Sequence, residues 1–391
     1  MPGMTCTTLC YDEQLLAELR KIYGIHGLRA FLDAVQRPPA RYYVRVNVLR
    51  SDPGELLDDM RNKGYTVYRD EFLEEALWLP VRGPQRVRDT GCYIVVDKKA
   101  AESIMMGAHV YAPGVRSIDD CAKPGIEAAV RAENGVVVAN AVIVKEFLHS
   151  LRRGRGLVAE NVRPLYTVPS LRDTVWARNG LIYEQSISSM LVARVLDPAP
   201  GSVIVDMCAA PGGKTGHVYE LVRGRARIIA LDHSASKTRR LVENLRRLGH
   251  SGVEVVRLDS RYADIRLGKG IADYIVLDPP CTSLGVLPKV WDKKGYQDVR
   301  NSALYQRQFL RAAYGLLKPG GVLVYSTCTV TLSENEENIQ YAVEELGFRL
   351  VMPSLRVFGK GVGTGADYLI RVHPHVHGAT GYFVARLVKP R

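Results

Sequence analysis

The feature that most limits the fold is the texture of the chain from about Ser170 to its end at residue 391, where short apolar runs alternate with helical patterns. "SVIVDM", "ARIIALD", "GVEVVRLD", "ADYIVLD" and "VLVYSTC" read as strands. "KTGHVYELV", "SKTRRLVENLRRLG", "NSALYQRQFLRAAYGLLKPGG" and "SENEENIQYAVEELG" read as helices. Such alternation requires a parallel sheet with helices on both faces. Polar residues cluster just beyond the strands' C-terminal ends, the edge where open α/β sheets bind ligands. An α/β, Rossmann-like domain is therefore expected over residues 170–391.

Two regions precede it. Residues 1–88 begin with a helical pattern (Leu15, Leu16, Leu19, Ile22). They continue through a strand-like "YYVRVNVLR", a helix around Leu56 to Lys63 and "YTVYRD", a small α+β unit. Arg37, Arg41, Arg45 and Arg50 fall within 14 residues with no acid between them. Arg41 and Arg45, beside Tyr42 and Tyr43, suit contact with a nucleic-acid backbone and base stacking; a solvated strand edge is the plain alternative. Residues 89–169 turn to short β runs with glycines, "GCYIVVD", "GAHVYAPGV" and "NGVVVANAVIV", the pattern of a small barrel. "SLRRGRG" sets Arg152, Arg153 and Arg155 on a backbone freed by glycine, able to track a phosphate chain unless it is only a solvated turn.

"DMCAAPGGKTG" (Asp206 to Gly216) follows the first strand of the α/β region and opens a helix. It is not a phosphate loop: Gly213, Lys214 and Thr215 fit one, but the required first glycine is Cys208. The second strand ends at Asp232, 26 residues after Asp206, where a carboxylate can accept from both ribose hydroxyls. The third ends at Asp259, in reach of an adenine edge. Either aspartate alone could be a helix cap. Together, without a phosphate loop, they predict an adenosine cofactor lacking phosphates, and S-adenosylmethionine fits best.

The fourth strand ends in "DPPC" and the fifth in "STCT", placing Asp278, Cys281 and Cys328 at one edge. Carbon 5 of a pyrimidine is too weak a nucleophile to take a methyl group. A thiolate added to carbon 6 makes carbon 5 enamine-like and able to attack a methyl sulfonium. Such a reaction needs a nucleophile, an acid to stabilise the ring and a base to remove the carbon 5 proton. Residue chemistry alone does not say which cysteine does what, and two buried apolar cysteines are the plain alternative.

"DMCAAPGGKT", "DPPCTSLG" and "YSTCTVTLSENEENI" resemble the Nop/Sun family of RNA 5-methylcytosine methyltransferases. The resemblance covers nearly the whole chain. "RYYVRVNVLR" resembles the family's RNA-binding N-terminal unit and "LIYEQSISSML" its entry into the catalytic domain. Residues 89–169 resemble a PUA domain, an RNA-binding module. Its insertion is similar to the subgroup acting on the tRNA acceptor stem near the CCA end, at position 72. The resemblance implies that Cys328 is the nucleophile, that Cys281 helps release the product and that Asp278 bonds the cytosine ring. It also implies that Cys208, Ala209, Ala210, Pro211, Gly212, Gly213 and Lys214 hold S-adenosylmethionine with Asp232, Asp259 and Asp278, and that Lys214 approaches the base. One departure concerns the loop shape: many members have Cys-Ser-Gly where this chain has Cys281-Thr282-Ser283.

The net charge of +12 agrees with a polyanionic partner. Ribosomal RNA methylation and RNA binding without catalysis are the competing functions, and the intact cysteine pair argues against the second. No apolar run reaches the ~18 residues of a membrane helix, so no membrane partner is expected. No secretory pattern is visible in the N-terminal residues, and a cytoplasmic monomer is expected. The seven cysteines are scattered without a C-x-x-C pair, which predicts neither zinc nor a disulfide framework. His373, His375 and His377 could share a strand face, but Pro374 and Gly378 predict a loop instead of a metal site.

Overall fold

A computed structural model describes residues 8–355 and 357–391. The first seven residues of the expected N-terminal unit, on which part of the leader reading rests, lie outside the described residues, as does Arg356.

The α/β region forms a nine-stranded sheet. Its parallel part runs, in spatial order, Val253–Arg257, Arg227–Asp232, Val203–Asp206, Ala272–Leu277 and Leu317–Thr327. Tyr382–Val388 joins the last of these antiparallel, pairing Ser326 with Val384 and Thr327 with Phe383. Successive residues point to opposite faces, so each strand feeds two cores. Ile204, Val276 and Val324 pack on the face covered by the helix Ile187–Leu196. Val205, Ile275, Leu277 and Leu323 pack on the face covered by the helix Tyr296–Leu316. Burial on both faces is why the strand sequences read as continuous apolar runs.

The middle region is a six-stranded mixed sheet around its own core, with Ile94, Val96, Val130, Ala139 and Val158 at its centre. A disulfide joins Cys92 to Cys121 in it, contrary to the expectation of no disulfides. The bond spans 29 residues and links the start of one strand to the turn beyond its neighbour, a proximity that sequence spacing does not reveal.

The N-terminal sheet has four strands, and Arg41–Val46 lies second in it. Its edge strand, Ile182–Glu184, comes from beyond residue 170 and pairs Tyr183 with Arg45. The helix Glu13–Val35 packs instead on the catalytic region, where Leu15, Leu19 and Phe31 meet Leu284, Val299 and Val330. Leu9–Tyr11 likewise pairs with Asp292–Lys294. The N-terminal elements and the catalytic region are thus joined by a shared sheet edge, by this helix and by this strand pair. The segment Pro374–His377 is a one-turn helix between two strands. No helix among the described residues is long and apolar enough to cross a membrane.

Candidate active site

The first strand delivers Asp206 into full burial, where its carboxylate accepts from Thr215 Oγ1 at 2.6 Å and from the Cys208 amide at 3.3 Å. Burial pushes this carboxyl up to about 6. Asp206 therefore holds the turn that follows it. In that turn Gly212 adopts φ +109°, and a Cβ there would stand 2.9 Å from Leu241 Cδ1. A Cβ on Gly213 would stand 2.9 Å from Tyr183 Cε1, so this glycine also answers to the neighbouring sheet.

The turn, Asp232, Asp259 and Asp278 border a cavity of about 420 Å³ at the C-terminal edge of the sheet. Cys208 and Ala210 line it, with both Cys281 and Cys328; of the expected cofactor residues, Ala209, Pro211, Gly212, Gly213 and Lys214 are not in its lining. Asp232 is buried and accepts from the Ser234 amide at 3.0 Å. Asp259 stands two residues past its strand, with a carboxylate that meets Arg261 Nη2 at 2.6 Å. Three carboxylates around one cavity suit the hydroxyls of a ribose and a positively charged sulfonium. The residues thus fit S-adenosylmethionine.

At the far end of this cavity Cys281 Sγ lies 3.4 Å from Cys328 Sγ. Asp278 stands beside them and accepts from Lys214 Nζ at 2.7 Å, Ser326 Oγ at 2.8 Å and Tyr382 Oη at 2.9 Å. Burial opposes the Lys214 charge, but Asp278 outweighs it and holds the ammonium well above its ordinary value. The hydrogen bond from Cys281 lowers the Cys328 thiol despite burial and the charge of Asp278, with Ser283 and Lys214 acting in the same direction as Cys281. That hydrogen bond, with burial, raises Cys281 well above its ordinary value. The pair is asymmetric: Cys328 is the thiol poised to ionise, and thiolate is the reactive form.

A buried carboxylate fixes the two cysteine loops to each other. Glu334 accepts from the Thr282 amide at 2.9 Å, Gln306 Nε2 at 3.0 Å and Thr331 Oγ1 at 3.0 Å. Thr282 and Thr329, each next to a cysteine, share a hydrogen bond of 2.8 Å.

The structure corrects one of the expected RNA contacts. Arg45 is fully buried, and its guanidinium pairs with Glu220 at 2.8 Å. It also donates to Gln185 and, at 2.6 Å, to the carbonyl of Gly213 in the cofactor turn. Its place in a strand aims it into the catalytic region, away from solvent. Arg41, four residues earlier, is exposed over the Trp78 ring, 4.5 Å from its centroid. Arg152, Arg153 and Arg155 are exposed as well.

Sequence reasoning missed Ser326, Tyr382, Ser283 and Glu334. Ser326 and Ser283 each sit two residues from a cysteine, a usable signal. Tyr382 has none, because it arrives on a strand 104 residues after Asp278.

Residues 193–388 match the family model of the 16S rRNA methyltransferase RsmB/F, and residues 92–146 match that of the PUA domain. Among curated relatives, the chain is 35% identical to the tRNA (cytosine(72)-C(5))-methyltransferase of Pyrococcus horikoshii, over 97% of each chain. It is 29% identical to the human tRNA (cytosine(72)-C(5))-methyltransferase NSUN6, over 92% of this chain and 84% of that protein. Among solved structures it is similar to the crystal structure of NSun6 from Pyrococcus horikoshii with SFG, an analogue of S-adenosylmethionine. That match has a TM-score of 0.90 and 35% identity, over 98% of this chain and 99% of that one. These matches bear out the Rossmann-like fold, the PUA domain and the dependence on S-adenosylmethionine.

Proposed function

The chain belongs to the RsmB/F methyltransferase family, and we propose that it methylates carbon 5 of cytosine 72 at the acceptor end of tRNA. One observation carries the chemistry: two thiols 3.4 Å apart, beside Asp278, on the wall of the cofactor cavity. The near full-length likeness to tRNA (cytosine(72)-C(5))-methyltransferases carries the substrate. Relatives named for ribosomal RNA, such as the ribosomal RNA small subunit methyltransferase F of Shewanella amazonensis, match only 54% of the chain.

S-adenosylmethionine, held by Asp232, Asp259 and the turn from Cys208 to Lys214, supplies the methyl group. The Cys328 thiolate bonds to carbon 6 of the cytosine, and the carbon 5–carbon 6 pair moves to carbon 5. Asp278, oriented by Lys214, Ser326 and Tyr382, bonds the ring. After methylation Cys281, which must first lose its own proton to solvent, takes the carbon 5 proton as a thiolate. The carbon 5–carbon 6 double bond re-forms, and the carbon 6–sulfur pair returns to Cys328. The base must leave its stack to reach these thiols, and the end of a helix makes that less costly than its interior. Exposed Arg41, Arg152, Arg153 and Arg155 hold the RNA through phosphate contacts.

The experiment is adduct trapping. Unmodified tRNA or ribosomal RNA is mixed with S-adenosylmethionine and either Cys281→Ala or Cys328→Ala, then resolved on denaturing gels. A covalent tRNA adduct is expected from Cys281→Ala alone. An adduct from Cys328→Ala alone reverses the roles, an adduct with ribosomal RNA alone replaces the substrate, and no adduct at all removes the covalent mechanism.

A further inference from the structure

Ser283 stands in an unusual backbone state with an unusual set of neighbours. Its φ of +57° lies in the left-handed region, which favours glycine and which L side chains seldom adopt. Nearby bonds hold it there. Its carbonyl accepts from the buried Lys289 Nζ at 2.9 Å and from the Val286 amide at 3.1 Å. Thr282 before it is tied to Glu334, and the Gly285 amide beyond donates to the Cys328 carbonyl at 3.0 Å. A glycine would take this shape without strain, so what serine adds is a hydroxyl.

That hydroxyl faces both sulfurs. Cys328 Sγ donates to Ser283 Oγ at 3.4 Å, and Cys281 Sγ lies 3.7 Å from the same oxygen. The hydroxyl's own proton goes to the Cys281 carbonyl over 3.4 Å, which is long for an O–H···O bond and hence weak. Once Cys328 ionises it becomes an acceptor, and a rotation of the hydroxyl turns the proton onto the sulfur at little loss.

We propose that Ser283 is a catalytic residue of this site, its hydroxyl donating in turn to whichever of the two sulfurs carries the negative charge. The proposal rests on the reading of Cys328 as nucleophile and Cys281 as the releasing group. Before attack the hydroxyl stabilises the Cys328 thiolate. When that sulfur is bonded to carbon 6, its charge is gone; Cys281 gives up its proton to solvent, and the hydroxyl turns to the resulting thiolate, which removes the carbon 5 proton. The Ser283 O–H bond never breaks; the hydroxyl only reorients. A fixed backbone amide could serve one sulfur, whereas a rotor between two can serve both.

The test uses Ser283→Gly and Ser283→Ala, each alone and with Cys281→Ala. Glycine removes the hydroxyl and relieves the backbone; alanine removes the hydroxyl and keeps the strain. Alkylation of Cys328 by iodoacetamide is followed against pH by peptide mass spectrometry, with the thermal midpoint of each variant recorded beside it. In the Cys281→Ala background both Ser283 variants are expected to move the alkylation midpoint up by about one pH unit, a roughly tenfold slower reaction on the acid side. With Cys281 intact, kcat falls in both while KM for tRNA holds. An unchanged midpoint in Ser283→Gly overturns the proposal, as does a shift in Ser283→Ala alone, which would assign the effect to the backbone. If Cys281→Ala forms no adduct with tRNA, the underlying reading fails, and the alkylation midpoint still reports separately whether the hydroxyl serves the thiol.

Discussion

The edge of the catalytic sheet and the arginine-bearing outer surfaces handle charge in opposite ways. At the edge the ionic groups around the cysteines are enclosed and partnered: Asp278 by three donors, Lys214 by Asp278, Glu334 by the two cysteine loops. On the surface Arg152, Arg153 and Arg155 stand in solvent. Arg45 carries the same side chain as they do and belongs to the first class, because its strand aims it at Glu220. The difference teaches that one substitution at the edge should act sharply through geometry. Substitutions on the surface should act weakly and additively, through summed charge.

The largest effect expected is at Cys328. Cys328→Ala should lower methylation by about three orders of magnitude or more while leaving tRNA binding near its original strength. A radiolabelled-methyl assay and a filter-binding titration on the same preparation separate the two. The thiolate is the reactive form, and Cys328 is lowered from its ordinary value, so kcat/KM should decline on acidification only below the usual thiol range. An acid limb at or above that range would break the assigned asymmetry of the pair.

Next in size is Arg45→Ala, which removes the guanidinium and leaves Glu220 buried with the imidazole of His250 at 3.2 Å. Breaking a buried pair costs about 3–5 kcal/mol, measurable by urea unfolding. The Gly213 carbonyl loses its donor as well, so cofactor affinity should fall, while the salt slope of tRNA binding should not change. A lower salt slope with intact stability would return Arg45 to the surface class.

The two classes were unequally legible in the sequence. Asp232, Asp278, Cys281 and Cys328 could be read because each ends a run whose β-character is plain, and parallel topology leaves such ends nowhere to go but one edge. Arg45 could not, because composition does not tell which face of a half-buried strand meets a partner. Tyr382 enters on an antiparallel strand that carries no motif. The disulfide from Cys92 to Cys121 depends on a tertiary approach that spacing does not encode. Asp259 was legible as a position, but its pairing with Arg261 depends on a local turn.

Among surface groups, replacing Arg152, Arg153 and Arg155 together by alanine should weaken tRNA binding at low salt. It should also reduce the slope of log K against log salt by about two to three. Stability should stay within about 0.5 kcal/mol, since the residues are exposed. Titrations at four salt concentrations test this; an unchanged slope would take "RRGRG" out of the RNA path.

The smallest effect is expected at Arg41, and it asks whether the surface class is purely a matter of charge. The guanidinium lies 4.5 Å from the centroid of Trp78, so the cation is already placed before RNA arrives. An exposed contact of this type contributes about 0.5–1 kcal/mol, enough to orient a side chain though not to hold a fold. Arg41→Ala should lower the salt slope by about one and weaken tRNA binding severalfold. Arg41→Lys separates the terms, because lysine keeps the charge but lacks the planar group that stacks and forks onto phosphate. If Arg41→Lys restores the slope but only part of the affinity, preplacement by Trp78 adds to charge at this position. If it restores both, Arg41 acts as charge alone, and the contrast with the geometry-bound thiols extends to every exposed arginine tested.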